Sequence, residues 1–314
     1  LVYSRDEDFN GAYENISYRK STNNGTTWSA PVSIVSGDFY EAAEPEIVVD
    51  STGKIYVVFH GSLQGEEQRI FYTTSTNGVS WNAPLKVDDN GRDNVYVQIG
   101  MANANNVHAV WIGDEDGVVL GDNQSIFYSK FNGVSWSART ALYANATATQ
   151  GWPNPQIFID NRSNIHVAFL DALNGKIKYT TNESGSFVTP ISIGNSSAVR
   201  ATIADMAVEN NTLHVVWQDV RGGIGKIYEN KKPLGGSFNA EETLIDVGVS
   251  TDADSTSAGE TQLVSDGNTL HLFYRDSIGK RNLFYLQYAD SVWTKAVPVT
   301  DDAHMSMSSL SRRD

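Results

Sequence analysis

"STNNGTTWSAP" at residues 21–31 returns as "STNGVSWNAP" at residues 75–84. A turn that ends in Trp and Pro, written twice, is an internal repeat, and a repeat constrains the fold before any single residue does. The aromatic landmark recurs as Trp28, Trp81, Trp136, Phe187, Phe238 and Trp293, at separations of 53, 55, 51, 51 and 55 residues. Six landmarks at near-constant pitch fill the 314 residues. The chain therefore reads as one domain, 1–314, made of six units.

Each unit has the same internal order. A short segment follows the landmark, as in "WNAPLKV". An apolar strand ending in a turn comes next ("PEIVVDSTG", "PQIFIDNRSN"), then a β-branched and aromatic strand ("IYVVFH", "VHAVWI", "IHVAFL", "LHVVWQ", "LHLFYR"). A further strand such as "RIFYTTS" or "SIFYSKF" leads back to the landmark turn. Runs of Val, Ile, Phe, Tyr and Trp bounded by Gly, Asn and Asp are strand signals, and no helical period competes. Four antiparallel strands per unit, A to D, repeated six times, predict an all-β, six-bladed β-propeller. "LVYSRD" at the start aligns with the B strand "LHLFYRD", and "SSLSRRD" at the end falls where an A strand belongs. The pattern predicts a ring closed by both termini sharing one blade.

Composition narrows the function classes. The formal net charge of −14 opposes a nucleic-acid or anionic-membrane partner. No apolar run is long enough to span a bilayer, so no membrane insertion is expected. With no cysteine, disulfides, zinc–thiolate sites and thiol nucleophiles are excluded. Eight N-x-S/T sequons, and a first residue that is Leu, suit a processed chain in an extracellular or cell-surface setting.

The repeated turn resembles the Asp box, or bacterial neuraminidase repeat, S-x-D-x-G-x-x-W, with Asn in place of Asp. Ser21, Asn23, Gly25 and Trp28 fit its spacing, and Ser75, Asn77, Gly78 and Trp81 form a copy one residue shorter. "FNGVSW", "ESGSF", "LGGSF" and "ADSVW" are degraded copies. The resemblance implies a sialidase-like propeller in which the box is a structural staple on the C–D turn, away from any active site. Locally, the Asn side chain caps its own turn, Gly25 takes positive φ, and Trp28 is expected to bury its ring between blades.

His108, His166, His214 and His271 share one place in the B strand, held by Tyr56 in another unit, which marks them as architectural. His60 and His304 lie outside that pattern. A recurrent Asp opens the B–C loops (Asp6, Asp171, Asp219, Asp276) and is expected to cap them. "DEDFNG" has the start of a calcium loop, with Asp6, Asp8 and Asn10 as ligands, and "GDEDG" and "DADSTSAGE" are looser candidates. No cofactor is required by the sequence, and calcium is the one it allows.

Long, irregular D–A and B–C connections share one face, and recognition is expected there. They carry Phe39, Tyr40, Tyr143 and Trp152, with Arg92, Arg221 and Arg275, a combination suited to stacking and hydrogen-bonding sugar rings. The leading expectation is a carbohydrate- or surface-binding module for a glycan or cell-surface polymer. A sialidase-like glycosidase or polysaccharide lyase working at the central mouth is the alternative. Tyr40 and Glu41 adjoin, but no arginine triad is assignable and the family's early arginine motif is absent. A structural subunit bound to other surface-protein chains is the third reading.

Overall fold

The computed structural model describes residues 1–5, 15–35, 39–88, 93–114, 124–144, 154–171, 174–194, 201–219, 226–246, 261–275 and 283–299. They contain 24 strands and no helix. Two compact units are present: Leu1–Ala148 with Asn161–Asn164, and Thr149–Asp160 with Ile165–Asp314.

Unit 1 holds three antiparallel sheets. The first is β1 (Val2–Arg5), β2 (Asn15–Tyr18) and β3 (Val32–Val35). The second is β4 (Phe39–Val49), β5 (Ile55–Leu63), β6 (Arg69–Ser75) and β7 (Leu85–Lys86). The third is β8 (Asn94–Asn103), β9 (Asn106–Asp114), β10 (Gln124–Phe131) and β11 (Thr140–Ala144). Unit 2 holds the fourth sheet, β12 (Gln156–Ile159), β13 (Ile165–Asp171), β14 (Lys176–Thr181) and β15 (Ile191–Ser192). The fifth is β16 (Ala201–Glu209), β17 (Thr212–Asp219), β18 (Lys226–Pro233) and β19 (Thr243–Asp246). The sixth is β20 (Thr261–Ser265), β21 (Leu270–Arg275), β22 (Leu283–Ala289), β23 (Val292–Trp293) and β24 (Val297–Pro298), with β23 and β24 both on β22. Apart from β24, which returns to β22, the strands of every sheet pair in chain order, as local hairpins dictate. Among the described residues β1 pairs only with β2. The expected closing strand at 308–314 lies outside the described residues.

The second strands of the second to fifth sheets, β5, β9, β13 and β17, are buried on both faces, which explains their unbroken apolar runs, whereas β21 alternates buried and half-buried residues. In β5, Val57 and Phe59 pack toward Ile16 and Tyr18 of the first sheet. Val58 packs toward Ala109 and Trp111 of the third, and Tyr56 toward Val107 and Phe131. Unit 2 repeats this, with Val216 and Ile227 against Leu263 and Leu272.

The recurring histidines are tied into the sheets. His108, His166 and His271 share Nδ1 hydrogen bonds with Tyr128, Tyr179 and Tyr285 hydroxyls at 2.7, 2.6 and 2.7 Å. His214 meets Glu229 at 2.6 Å, and Tyr56 donates to Asn105 at 2.7 Å. These bonds satisfy a polar atom in an otherwise apolar strand.

The landmark turns close on their own side chains. Ser75 Oγ accepts from the Gly78 N–H at 2.8 Å, and Asn77 Oδ1 accepts from the Val79 and Ser80 N–H groups, both at 2.8 Å. Ser21 and Asn23 repeat this toward the Gly25 and Thr27 N–H groups. Gly25 and Gly78 have φ of 83° and 73°, a region that only glycine enters cheaply. The aromatic then packs on the preceding sheet: Trp81 on Tyr18 at 5.3 Å, Trp136 on Tyr72 at 5.7 Å, Phe238 on Tyr179 at 4.8 Å. Trp28 departs from the expectation and is 43% exposed.

Candidate active site

Unit 1 brings together a group of side chains that the sequence does not link. β4 and β8 are the first strands of neighbouring sheets, and each carries a bulge. The β4–β5 register shifts between Phe39 and Glu41 and again between Ala43 and Glu46; the β8–β9 register shifts between Val95 and Gln98. Pro45 supplies no N–H to the ladder, which accounts for the second β4 irregularity. At the bulges two non-glycine residues are left-handed, Glu44 at φ 50° and Tyr96 at φ 53°. Such a conformation costs about 1–3 kcal/mol each and concentrates at functional sites.

His60 of β5 stands between them. Its Nδ1 lies 3.7 Å from Glu44 Oε2, and its ring centroid is 6.1 Å from that of Tyr96. The Glu44 N–H donates to Ser4 Oγ of β1 at 3.2 Å, pinning the bulge. The flanking acids are held by amides: Gln68 Nε2 donates to Glu41 Oε2 at 2.7 Å, and Gln98 Nε2 to Glu46 Oε1 at 2.9 Å.

The electrostatics follow from this crowding. Desolvation, then the charges of Glu46 and Glu41, raises the Glu44 carboxyl to about 7. Half of its side-chain surface still meets water, so the group is reachable as well as perturbed. Burial raises Glu41 too. The His60 imidazole, buried, is pushed down to about 4 and is neutral at neutral pH. The Tyr96 phenol is raised by burial and by Glu44 and Glu41. The site thus offers a carboxyl half protonated near neutrality, ionisable carboxylates beside it, and a neutral imidazole and phenol. That is a set for moving protons onto and off an oxygen.

The expected binding residues fall out differently. Phe39, beside the first β4 register shift, is partly buried and packs edge-on to Phe59 at 5.6 Å and Phe71 at 4.9 Å. Tyr40, its neighbour, is 66% exposed and adjoins Glu41. Tyr143 is half-buried on β11, opposite Ile126. Trp152, Arg92 and Arg221, the Arg275 side chain, His304 and the calcium candidates Asp6, Asp8 and Asn10 lie outside the described residues, as do residues 115–117 and 252–260. Asp171 caps its loop, accepting from Asn174 Nδ2 at 2.9 Å. Glu44, Glu46, Tyr96 and Gln98 were not singled out by sequence reasoning. The one available signal was proline within a strand, "EAAEPEIVV", which marks a bulge or an edge. A second cluster, Asp160, His166 and Glu183 in unit 2, has metal-ligand spacing, but the Glu183 carboxylate is already paired with the Lys232 ammonium.

The fold is of the β-propeller type found in carbohydrate-active enzymes. Among solved structures, the chain is similar to an ulvan lyase of polysaccharide lyase family PL25 bound to -[GlcA(1-4)Rha3S]-. The identity is 11% and the TM-score 0.60, over 91% of this chain and 80% of that one. It is also similar to the GH93 alpha-L-arabinofuranosidase of Fusarium graminearum with arabinobiose, at 11% identity and TM-score 0.56, over 84% and 83%. A protein of unknown function from Dyadobacter fermentans matches at 11% and 0.54, over 80% and 79%. No protein-family model matches the chain, and no curated protein does. The Asp-box resemblance therefore rests on the turn's own residues.

Proposed function

We propose that this protein hydrolyses glycosidic bonds of a neutral glycan at the Glu44–His60–Tyr96 site, with Glu44 as general acid. The observation that carries the reading is Glu44 itself: a half-exposed carboxyl raised to about 7 and held on a strained bulge. Protonated Glu44 gives its proton to the leaving glycosidic oxygen. An ionised carboxylate, Glu41 or Glu46, either takes a proton from the attacking water or itself bonds to the anomeric carbon, forming a glycosyl ester that water, deprotonated by Glu44, then cleaves. Water ends up divided between the two new ends of the chain. Tyr40, exposed beside Glu41, supplies a stacking surface for a sugar ring.

Hydrolysis is preferred to lyase chemistry on charge. A lyase must neutralise a uronate carboxylate before its neighbouring proton becomes acidic. Among the described residues the charges that act on Glu44 and Tyr96 are carboxylates, which repel a uronate. The propeller fold shared with the lyase and the arabinofuranosidase supports action on a glycan in general. The same reading takes the six sheets as six blades of one ring closed by the termini, in an extracellular or cell-surface protein. Calcium in the acidic loops remains part of that proposal.

The test is reducing-end release from arabinans, rhamnans, galactans and uronate polymers between pH 5 and 8, by the parent and Glu44→Gln. Release from a neutral polymer, falling above pH about 7 as Glu44 loses its proton, is expected. Glu44→Gln should lower it by about 10²–10⁴-fold. An unsaturated, ultraviolet-absorbing product from a uronate polymer would overturn hydrolysis in favour of elimination. Glycan binding without turnover would make the chain a binding module.

A further inference from the structure

We propose that the polar cavity between the turn ends of the fifth and sixth sheets binds a neutral sugar residue, separately from the candidate active site. The cavity measures about 430 Å³, the small end of ligand cavities and room for one or two sugar rings. Three hairpin turns frame it. Glu209 and Asn210 belong to the β16–β17 turn, Asp290 and Ser291 to the β22–β23 turn, and Asn268 to the β20–β21 turn.

His214 lines the cavity with its side chain 1% exposed. A carboxylate only accepts, so the 2.6 Å bond to Glu229 Oε1 places the proton on His214 Nδ1. Nε2 has no hydrogen-bond partner among the described residues; Glu209 Oε2 is 4.0 Å away. The imidazole is fixed edge-to-face on Tyr288 at 4.9 Å. Lys231 Nζ donates to the Tyr288 hydroxyl at 2.7 Å, which leaves the phenol's own proton to be donated elsewhere. A buried ring nitrogen without a partner is a place where a donor from a ligand belongs.

The ligand class follows by elimination. An anion meets the carboxylates of Glu209 and Asp290, with Glu229 behind them. A cation meets the Lys231 ammonium. An apolar molecule meets almost only polar groups. What suits acceptors and donors interleaved at close spacing is a neutral molecule whose every oxygen both donates and accepts. A sugar ring is such a molecule: its hydroxyls donate to Glu209, Asp290 and His214 Nε2 and accept from Lys231 and Asn268. The inference rests on the glycan reading above and adds a second contact through which a polymer would be held.

The experiment titrates the full chain with arabinose, rhamnose, galactose, xylose, glucose and their disaccharides, and with glucuronate. Binding is read by calorimetry and by the His214 imidazole resonances. At least one neutral sugar should bind with millimolar affinity and shift the His214 signals. Asn268→Ala combined with Asp290→Asn should weaken it at least about tenfold, with the melting temperature kept within about 2 °C. Glu44→Gln should leave this affinity intact. The proposal is overturned if no neutral sugar binds, if glucuronate binds best, or if the double variant keeps its affinity. It is overturned equally if Glu44→Gln removes the binding. Retained hydrolysis in Glu44→Gln with intact binding here would sink the active-site assignment alone.

Discussion

Replacing Gly61 by alanine probes how β4 is held against β5. Gly61 lies opposite Ala42, one residue from His60. A Cβ at this position would stand 2.6 Å from the Glu41 carbonyl oxygen and 3.2 Å from the Phe39 ring. The ring can turn aside, whereas a carbonyl in a ladder cannot. Ordinary contact begins at 3.4 Å, so β4 would have to retreat by about 0.8 Å. Overpacking of this kind costs about 1–3 kcal/mol, and a backbone partner places it near the top, about 2–3 kcal/mol. For a cooperative unit of about 150 residues, that lowers the melting temperature by roughly 4–10 °C. The same retreat moves Glu41 and Glu44, and misplacement near 1 Å costs about 10²-fold in rate. Calorimetry and turnover well below the transition measure the two effects together. Gly65→Ala is the control. Its φ is +81° and nothing lies within 4 Å of the added carbon, so only the local conformational cost of about 1 kcal/mol applies. A Gly61→Ala protein that melts within about 1 °C of the parent and keeps its turnover would refute the argument that this close approach positions the site.

Buried neutral imidazoles make the fold sensitive to acid. His60 and His108 are each held near 4 by burial, Lys130 adding to the effect at His108, against an ordinary value of 6.5. The unfolded chain takes up protons below 6.5 and the folded one only near 4, so stability is full above pH 6.5 and declines between them. His60→Asn should remove about 3 kcal/mol of that decline in urea titrations, and unchanged slopes would contradict it. Asn77→Ala removes the acceptor of two N–H groups and should cost about 1–2 kcal/mol, whereas Asn77→Asp keeps it and should stay within about 0.5 kcal/mol of the parent. Equal losses in the two variants would deny the capping role. Trp81→Ser should cost about 2–3 kcal/mol through lost packing on Tyr18, and Trp28→Ser only about 1–2 kcal/mol because 43% of that residue already meets water. Equal costs would mean the two landmarks do the same job.

Much of the fold was legible because strands and turns are local. The landmark spacing located the sheets, and the β5 and β9 runs announced strands buried on both faces. The shared position of His108, His166, His214 and His271 revealed their architectural place, since equal register in repeated strands means equal surroundings. The site was not legible, because it is made by irregularity. Nothing in "FYEAAEPE" tells how far two bulges rotate Glu44 out of register, or that Tyr96, from the next sheet, is turned the same way. Phe39 and Tyr40 show the limit best: adjacent aromatics in one loop-like stretch, one half-buried against two rings and the other open to water. Trp28 shows another limit, since a shared turn sequence does not fix how far its aromatic is covered.

The self-capped turns bear on how this protein ages. Three of them contain Asn followed by Gly: Asn24–Gly25, Asn77–Gly78 and Asn132–Gly133. Such pairs lose ammonia when the glycine nitrogen attacks the asparagine side chain, a reaction that shortens the useful life of many proteins. In the first two turns a serine hydroxyl engages that nitrogen: Ser21 holds Gly25 and Ser75 holds Gly78, both at 2.8 Å. In the third, Lys130 stands where the serine would be, although Asn132 Oδ1 still accepts from Val134 and Ser135. Among these three turns chemical wear in stored protein should therefore begin at Asn132, with isoaspartate there before Asn24 or Asn77 in a peptide map.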